Sequence, residues 1–179
     1  MKYFPKMTGE RIYLSPINTD DAEIYTKWIN DPEVADRIGM YRRMLSLGNE
    51  KKALEHLSGE GHNYAIVLSK NDMLIGNVSL ADIEHVHRRA TLGIFIGEAE
   101  HRNKGYGAEA IRLLLDYGFN ILNLHSIMLV VHADNPRGLA CYGKVGFKEF
   151  GRRRESRMKG GKYIDLVYMD ILEDEFNGK

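Results

Sequence analysis

Glycines and basic side chains at one predicted strand-to-helix turn have the types and spacing of an anion-binding site. Residues 102–107 read Arg-Asn-Lys-Gly-Tyr-Gly, after an apolar strand pattern at Thr91–Gly97 and before a helical pattern at 111–119. The first N–H groups of a helix lack intrahelical partners, and the helix dipole attracts negative charge there. The turn therefore predicts a site for an anion such as a pyrophosphate, with Arg102 and Lys104 adding positive charge.

The motif is short, and on the motif alone a turn without a ligand is the alternative. The spacing is not Gly-x-Gly-x-x-Gly, because Ala110 stands three residues after Gly107. No Gly-Lys-Ser or Gly-Lys-Thr occurs in the chain. A dinucleotide fingerprint and a nucleotide P-loop are therefore not predicted.

Composition places the chain among ordinary globular proteins, with 44% apolar and 28% charged residues. The 25 basic and 25 acidic residues cancel, so attraction to nucleic acid or to an anionic membrane is not predicted. A single cysteine, Cys141, excludes an intramolecular disulfide and fits a reducing compartment. With no signal-peptide pattern or long apolar run, we expect one cytoplasmic domain over residues 1–179.

Apolar periodicity and turn residues predict the order β-α-α-β-β-β-α-β-α-β-β. This order indicates an α/β fold, a mixed central sheet of about seven strands with flanking helices. The run at Ser126–His132 is continuously apolar, which is typical of a strand buried on both faces. Asn135 and Pro136 are typical of a helix start, and Gly146 of its end.

The element order and two motifs resemble the GNAT superfamily of acyl-CoA-dependent N-acetyltransferases over nearly the whole chain. The central family motif, Gln/Arg-x-x-Gly-x-Gly/Ala, corresponds here to residues 102–107. A second landmark, Asn followed by Tyr and then Gly-Phe, is found here as Asn135, Tyr142 and Gly146-Phe147. Each motif is weak alone, but the pair at this separation is specific.

Within the superfamily, residues 11–16, 28–34 and 161–165 resemble the RimJ/RimL group of ribosomal-protein N-terminal acetyltransferases. Residues 84–90 resemble bacterial spermidine acetyltransferases. The resemblance implies an acetyl-CoA-dependent enzyme acting on a primary amine, first a protein N-terminus and second a polyamine. Residues 38–47 carry two arginines and no acid, which weighs against a polycation. A non-catalytic acyl-CoA sensor is the alternative from another class, and a homodimer is plausible from the family.

The resemblance also implies roles for particular residues. Backbone amides of the motif would hold the CoA pyrophosphate; its residues are Arg102, Asn103, Lys104, Gly105, Tyr106 and Gly107. Amides of the preceding strand would pair with pantetheine and polarise the thioester carbonyl; by position these belong to Phe95, Ile96 and Gly97. Tyr142 would be the general acid toward the leaving thiolate. Asn135 would bind pantetheine, cap its helix, or do both.

The general base is not evident from the sequence. Candidates are Glu84, His85, His87 and Glu98, or a chain of water molecules. His85 and His87 have no third ligand at metal-binding spacing, so no metal site is predicted. No His or Asp is spaced to activate Cys141, which we interpret as a small packing residue.

Overall fold

The computed structural model describes residues 2–176, apart from the side chain of residue 60. Thirteen helices and strands follow in order within these residues. They are β1 Met7–Thr8, β2 Ile12–Pro16, α1 Ala22–Asn30, α2 Pro32–Arg37, α3 Leu47–Glu60, β3 Asn63–Leu68, β4 Met73–Glu84, β5 Arg89–Ile96, α4 Tyr106–Asn120, β6 Ser126–His132, α5 Pro136–Val145, β7 Lys148–Lys159 and β8 Lys162–Leu172.

The predicted α/β class is confirmed, with a mixed sheet of eight strands among the described residues rather than about seven. The additional strand is β1, whose two residues are too few to show an alternating pattern. It pairs antiparallel with β2, Met7 opposite Leu14 and Thr8 opposite Tyr13. The predicted order has two helices before its second strand, whereas the structure has three, α1, α2 and α3. Helix α3 begins at Leu47 because the Ser46 hydroxyl caps it by accepting from Asn49 N at 3.2 Å.

The chain falls into two compact units that share β4, β5 and α4 along their lengths. The first comprises the residues up to Ser79 together with Ile94–Leu113. Its strands lie in the order β1-β2-β3-β4, and each pairs antiparallel with the next. Helices α1, α2 and α3 belong to this unit. The expectation of a single domain over 1–179 stays a prediction.

The second unit comprises Leu80–Gly93 and the residues from Leu114 onward. Its strands lie in the order β4-β5-β6-β8-β7, with β5 parallel to β6 and β6 antiparallel to β8. Strand β6 was predicted to be buried on both faces, and this is wrong. Ile127, Leu129 and Val131 are buried, whereas Val130 between them is 42% exposed. The apolar letters were continuous, but only alternate side chains point to the core.

Trp28 is the largest fully buried side chain of the first unit, at 1% exposure. Helix α1 buries Ala22, Tyr25, Trp28 and Ile29, the spacing of one helix face. Phe95 of β5 packs edge-to-face on Trp28, with ring centroids 6.1 Å apart, and on Tyr25, at 6.3 Å. This aromatic contact fixes the end of β5 against α1.

Candidate active site

The predicted anion turn lies between β5 and α4, and its backbone has an unusual shape. Asn103 has φ 60° and Gly105 has φ 84°, both in the left-handed region. A Cβ at Gly105 would also lie 3.1 Å from Nη2 of Arg11. Left-handed residues among right-handed ones turn successive N–H groups to one side, which produces an anion-binding concavity. Gly105 is therefore required by the turn itself.

Gly107, in the first turn of α4, is a glycine for a different reason. Its φ is not positive, and a Cβ would meet only Ile94 Cδ1, at 3.9 Å. Neither strain nor packing within the described residues demands a glycine here. Because glycine destabilises a helix by about 1 kcal/mol relative to alanine, the small residue fits a ligand that approaches the helix N-terminus closely.

Arg102 contacts the protein more closely than the sequence indicated. Its Nε donates to the Ile96 carbonyl at 3.1 Å, and its Nη2 donates to the Gly97 carbonyl at 2.5 Å. Its Nη1 lies 2.8 Å from a carboxylate oxygen of Glu33, and the Arg102 side chain is only 18% exposed. The guanidinium thus holds the end of β5 and is offset by Glu33. Its contact with a CoA phosphate stays a prediction.

The backbone at the end of β5 is closely packed against β4 and against Trp28 of α1. A Cβ at Gly76 would lie 2.2 Å from the Phe95 carbonyl oxygen, and a Cβ at Gly97 would lie 2.1 Å from the Trp28 ring. The Gly97 N–H donates to the Ile75 carbonyl at 2.9 Å. The proposed polarisation of the thioester by Phe95, Ile96 and Gly97 stays a prediction, and at Gly97 it requires this hydrogen bond to be shared.

A pocket of about 250 Å³ lies beside Gly97 in the first unit. It is lined by Lys27, Trp28, Asn30, Asp31, Glu33, Gly97, Glu98, Ala99 and Arg102. Three of these residues are acids and two are bases. The pocket therefore has charged groups of both signs within reach of the residue predicted to contact the thioester.

Glu98 is the base candidate that lies in this pocket. It accepts hydrogen bonds from Lys27 Nζ at 2.6 Å and from Trp28 Nε1 at 3.1 Å. These two bonds, that from Lys27 first, hold the pKa of Glu98 below its usual range. An ionised, already hydrogen-bonded carboxylate is a weak proton acceptor, which weighs against Glu98 as the base.

Asn135, just before α5, and Tyr142, on α5, lie in the second unit. The Asn135 side chain accepts from Gly138 N at 3.1 Å and so caps the helix. Tyr142 is half-buried, and its ring packs edge-to-face on Phe147 with centroids 6.1 Å apart. Burial, together with neighbouring Cys141, raises the pKa of Tyr142 to about 12. The phenol therefore stays protonated at neutral pH, as a proton donor must.

Sequence reasoning missed the partners that shape this site. Glu33 of α2 and Trp28 of α1 contact Arg102 and Glu98 across about seventy residues of chain. No local spacing links positions so far apart, and a Trp on a helix face reads as core, which it also is. Among the described residues, no group of three or more His, Cys, Asp or Glu is arranged to hold a metal. In residues 2–176, no helix is long and apolar enough to cross a membrane.

Comparisons with known proteins identify the family. The model of the "Acetyltransferase (GNAT) domain" matches residues 11–148. Spermidine N(1)-acetyltransferase of Vibrio cholerae is 36% identical over 122 residues, 68% of this chain and 70% of that protein. A Bacillus subtilis protein provisionally named as the ribosomal N-acetyltransferase YdaF is 32% identical over 106 residues, 59% of this chain and 57% of that protein.

Solved structures agree with the family model. The structure of Vibrio cholerae spermidine N-acetyltransferase in complex with CoA and spermine matches with a TM-score of 0.84 and 27% identity, covering 93% of this chain and 98% of that chain. The resemblance inferred from the two motifs, the fold and the cofactor are thereby confirmed. The chain belongs to the GNAT family and is an N-acetyltransferase that uses acetyl-CoA.

Proposed function

We propose that this enzyme transfers the acetyl group of acetyl-CoA to a polyamine of the spermidine type, by direct attack of the amine in a ternary complex. Gly107 carries the cofactor part of the proposal, because nothing in the described protein requires a glycine at that helix N-terminus. Backbone N–H groups of residues 102–107 hold the pyrophosphate there. The absent Cβ lets the phosphate oxygens approach the backbone.

Acetyl-CoA supplies the activated acetyl group. As the neutral amine nitrogen bonds to the carbonyl carbon, the carbon–sulfur bond breaks and the sulfur takes the phenolic proton of Tyr142. The nitrogen loses one proton to water, and that proton returns through solvent to the Tyr142 phenolate. A phenol with a raised pKa is a weaker acid than a free thiol, whose pKa is about 8.5. Tyr142 therefore gives its proton only as the thiolate forms.

The acceptor is the finer part of the proposal. Support comes from the named spermidine acetyltransferase relative and from the spermine-bound neighbour. The pocket beside Gly97 has three acids, Asp31, Glu33 and Glu98, against two bases, Lys27 and Arg102, and this excess of negative charge suits a cationic acceptor. Residues 38–47 contain no acid, whereas these carboxylates come from α2 with its cap and from the turn after β5.

The test is CoA release from acetyl-CoA with spermidine, spermine, short ribosomal-protein N-terminal peptides and simple aminoacyl amines. Wild type and Tyr142→Phe are compared, with Tyr163→Phe as the control, since Tyr163 is 60% exposed on β8. We expect turnover on polyamines, reduced at least about tenfold in kcat by Tyr142→Phe, or about 1.4 kcal/mol. Turnover confined to peptides would overturn the acceptor, and an unchanged kcat would overturn the role of Tyr142.

A protein N-terminus is the second candidate acceptor. It is favoured by the likeness to the protein provisionally named as a ribosomal N-acetyltransferase and by the RimJ/RimL-like segments of the sequence. Peptide turnover in the same panel selects it. A cytoplasmic location and a homodimer stay predictions.

A further inference from the structure

Arg11, just before β2, contacts the predicted pyrophosphate loop although it is distant from that loop in the sequence. Its Nη1 donates to the Lys104 carbonyl at 2.8 Å. Its guanidinium carbon lies 5.0 Å from the centroid of the Tyr106 ring, the geometry of a cation–π contact. A Cβ at Gly105 would lie 3.1 Å from Nη2 of the same guanidinium. One side chain thus contacts Lys104 and Tyr106 and lies beside Gly105 between them.

Glu109, in the first turn of α4, holds Arg11 in this position. Its Oε2 accepts from Arg11 Nε at 2.9 Å and lies 2.9 Å from Nη2. Its Oε1 accepts from the backbone N–H groups of Arg11 at 2.8 Å and of Ile12 at 3.3 Å. A Cβ at Gly9 would lie 2.6 Å from this oxygen, so the chain before β2 is closely fitted around the carboxylate. Glu109 is only 16% exposed on its side chain.

This arrangement sets the direction of a loop amide. The peptide bond between Lys104 and Gly105 is planar and trans, so its carbonyl and its N–H point in opposite directions. Because Arg11 holds the carbonyl, the Gly105 N–H is turned away from Arg11. A backbone with a left-handed residue has other accessible orientations for this peptide, and the hydrogen bond selects one of them.

We propose that Arg11 and Glu109 are positioning residues for acetyl-CoA, which orient the loop amides toward the pyrophosphate without touching the phosphates. The inference rests on the proposed binding of pyrophosphate by residues 102–107. Arg11 also neutralises the Glu109 carboxylate, which would otherwise repel an anion at the same helix N-terminus. Loss of Arg11 therefore has two effects. The peptide bond between Lys104 and Gly105 is free to take other orientations, and the negative charge of Glu109 is no longer neutralised.

The experiment compares ligands that differ in the pyrophosphate. Dissociation constants for CoA, dephospho-CoA and pantetheine are measured by calorimetry on the full chain. The same chain is assayed for kcat and KM with acetyl-CoA and with S-acetylpantetheine. The variants are Arg11→Met, Arg11→Lys, Glu109→Gln and the double variant Arg11→Met/Glu109→Gln. Arg152→Met is the matched control, because Arg152 makes a comparable two-bond pair with Glu149 on exposed β7.

We expect Arg11→Met to weaken CoA and dephospho-CoA binding by about tenfold or more, the effect of a lost charged hydrogen bond. Pantetheine binding and kcat with S-acetylpantetheine should stay within about twofold, so that KM for acetyl-CoA rises while kcat changes little. Arg11→Lys should recover part of the affinity, since lysine restores the positive charge but not the planar guanidinium that bonds both Glu109 and the Lys104 carbonyl. The double variant should bind CoA better than Arg11→Met, because the uncompensated carboxylate is gone. Arg152→Met should behave as wild type.

Equal losses with CoA and with pantetheine would mean a general structural role and overturn the proposal, as would no loss with either. If the double variant binds CoA no more tightly than Arg11→Met, the electrostatic part of the proposal is overturned. If wild type binds CoA and pantetheine equally well, the loop does not hold the pyrophosphate. That result overturns the cofactor site itself, and it is distinct from an Arg11 variant that keeps the wild-type preference for CoA.

Discussion

Gly105 and Gly107 stand two residues apart in one motif, yet the structure gives a different physical reason for glycine at each position. Gly105 has a left-handed φ and lies against Arg11, so the protein itself needs it. Gly107 has ordinary φ, and a Cβ there would meet only Ile94 Cδ1, at 3.9 Å. A residue whose small size the protein does not need is the better indicator of a ligand.

Substitutions at Gly107 separate stability from binding. Gly107→Ala should raise the free energy of unfolding by about 0.5–1 kcal/mol, because alanine restricts the unfolded chain and favours the helix. Gly107→Leu should stay folded but weaken CoA binding by about tenfold or more, since its side chain fills the space beside the helix N-terminus. Urea unfolding and calorimetric titration with CoA measure the two effects. Unchanged CoA affinity in Gly107→Leu would contradict a phosphate at this position.

At the scale of elements, α1 and the end of β5 form one closely fitted contact. Trp28 packs on Phe95, and its indole N–H donates to Glu98, directly after the strand. Arg102 fastens the same strand end through the carbonyls of Ile96 and Gly97. The residues predicted to meet the thioester are thus held by a helix and by the loop that follows them.

Gly97→Ala tests this contact. Its Cβ would overlap the Trp28 ring at 2.1 Å, so we expect a loss of about 2 kcal/mol or more in the free energy of unfolding. Gly151→Ala on β7 is the control, because its Cβ would meet nothing within 4 Å and its effect should stay within about 0.5 kcal/mol. Urea unfolding at unchanged m-value measures both.

A smaller ring should relieve the overlap. Gly97→Ala combined with Trp28→Phe is therefore expected to lose less stability than the sum of the two single variants. Strict additivity would contradict direct contact between the added methyl group and the indole.

At the scale of the whole molecule, several tyrosines link stability to alkaline pH. Burial first, then the hydrogen bond to Asp72, raises the pKa of Tyr13 to about 12. Burial likewise raises the pKa of Tyr142 to about 12. The pKa values of Tyr3 and Tyr25 are also raised, chiefly by burial and then by Asp21. An unfolded tyrosine ionises near pH 10.

We therefore expect the free energy of unfolding to fall as pH rises from about 10 to about 12. In that window the unfolded chain has released phenolic protons that the folded chain still holds, so alkali favours unfolding. Urea unfolding from about pH 8 to about pH 11 measures the slope. Tyr13→Phe should make it shallower, and Tyr163→Phe, at an exposed tyrosine, should leave it unchanged. A flat curve above pH 10 would contradict the prediction.

Local patterns were enough for much of this fold. Helix α5 was predicted from Asn135, Pro136 and Gly146, and the structure has the Asn135 cap and the helix end at Val145. These signals succeed because capping and turn chemistry depend on neighbouring residues. The two-residue β1 and the exposure of Val130 on β6 were missed. Both depend on which other segments lie alongside, and no short window of sequence contains that information.

By itself the sequence determined the family, most of the element order, the glycine turn before α4 and the spacing of Asn135 and Tyr142, because these follow from local chemistry and from motif separation. Only the tertiary structure decided that Arg102 faces strand carbonyls and Glu33, and that Arg11, held by Glu109, donates to the Lys104 carbonyl. The pairing partners of a charged side chain lie wherever the fold brings opposite charges and carbonyl oxygens within hydrogen-bond distance. Arg11 and Glu109 are 98 positions apart in the chain, and only the packing of β2 against α4 makes them neighbours.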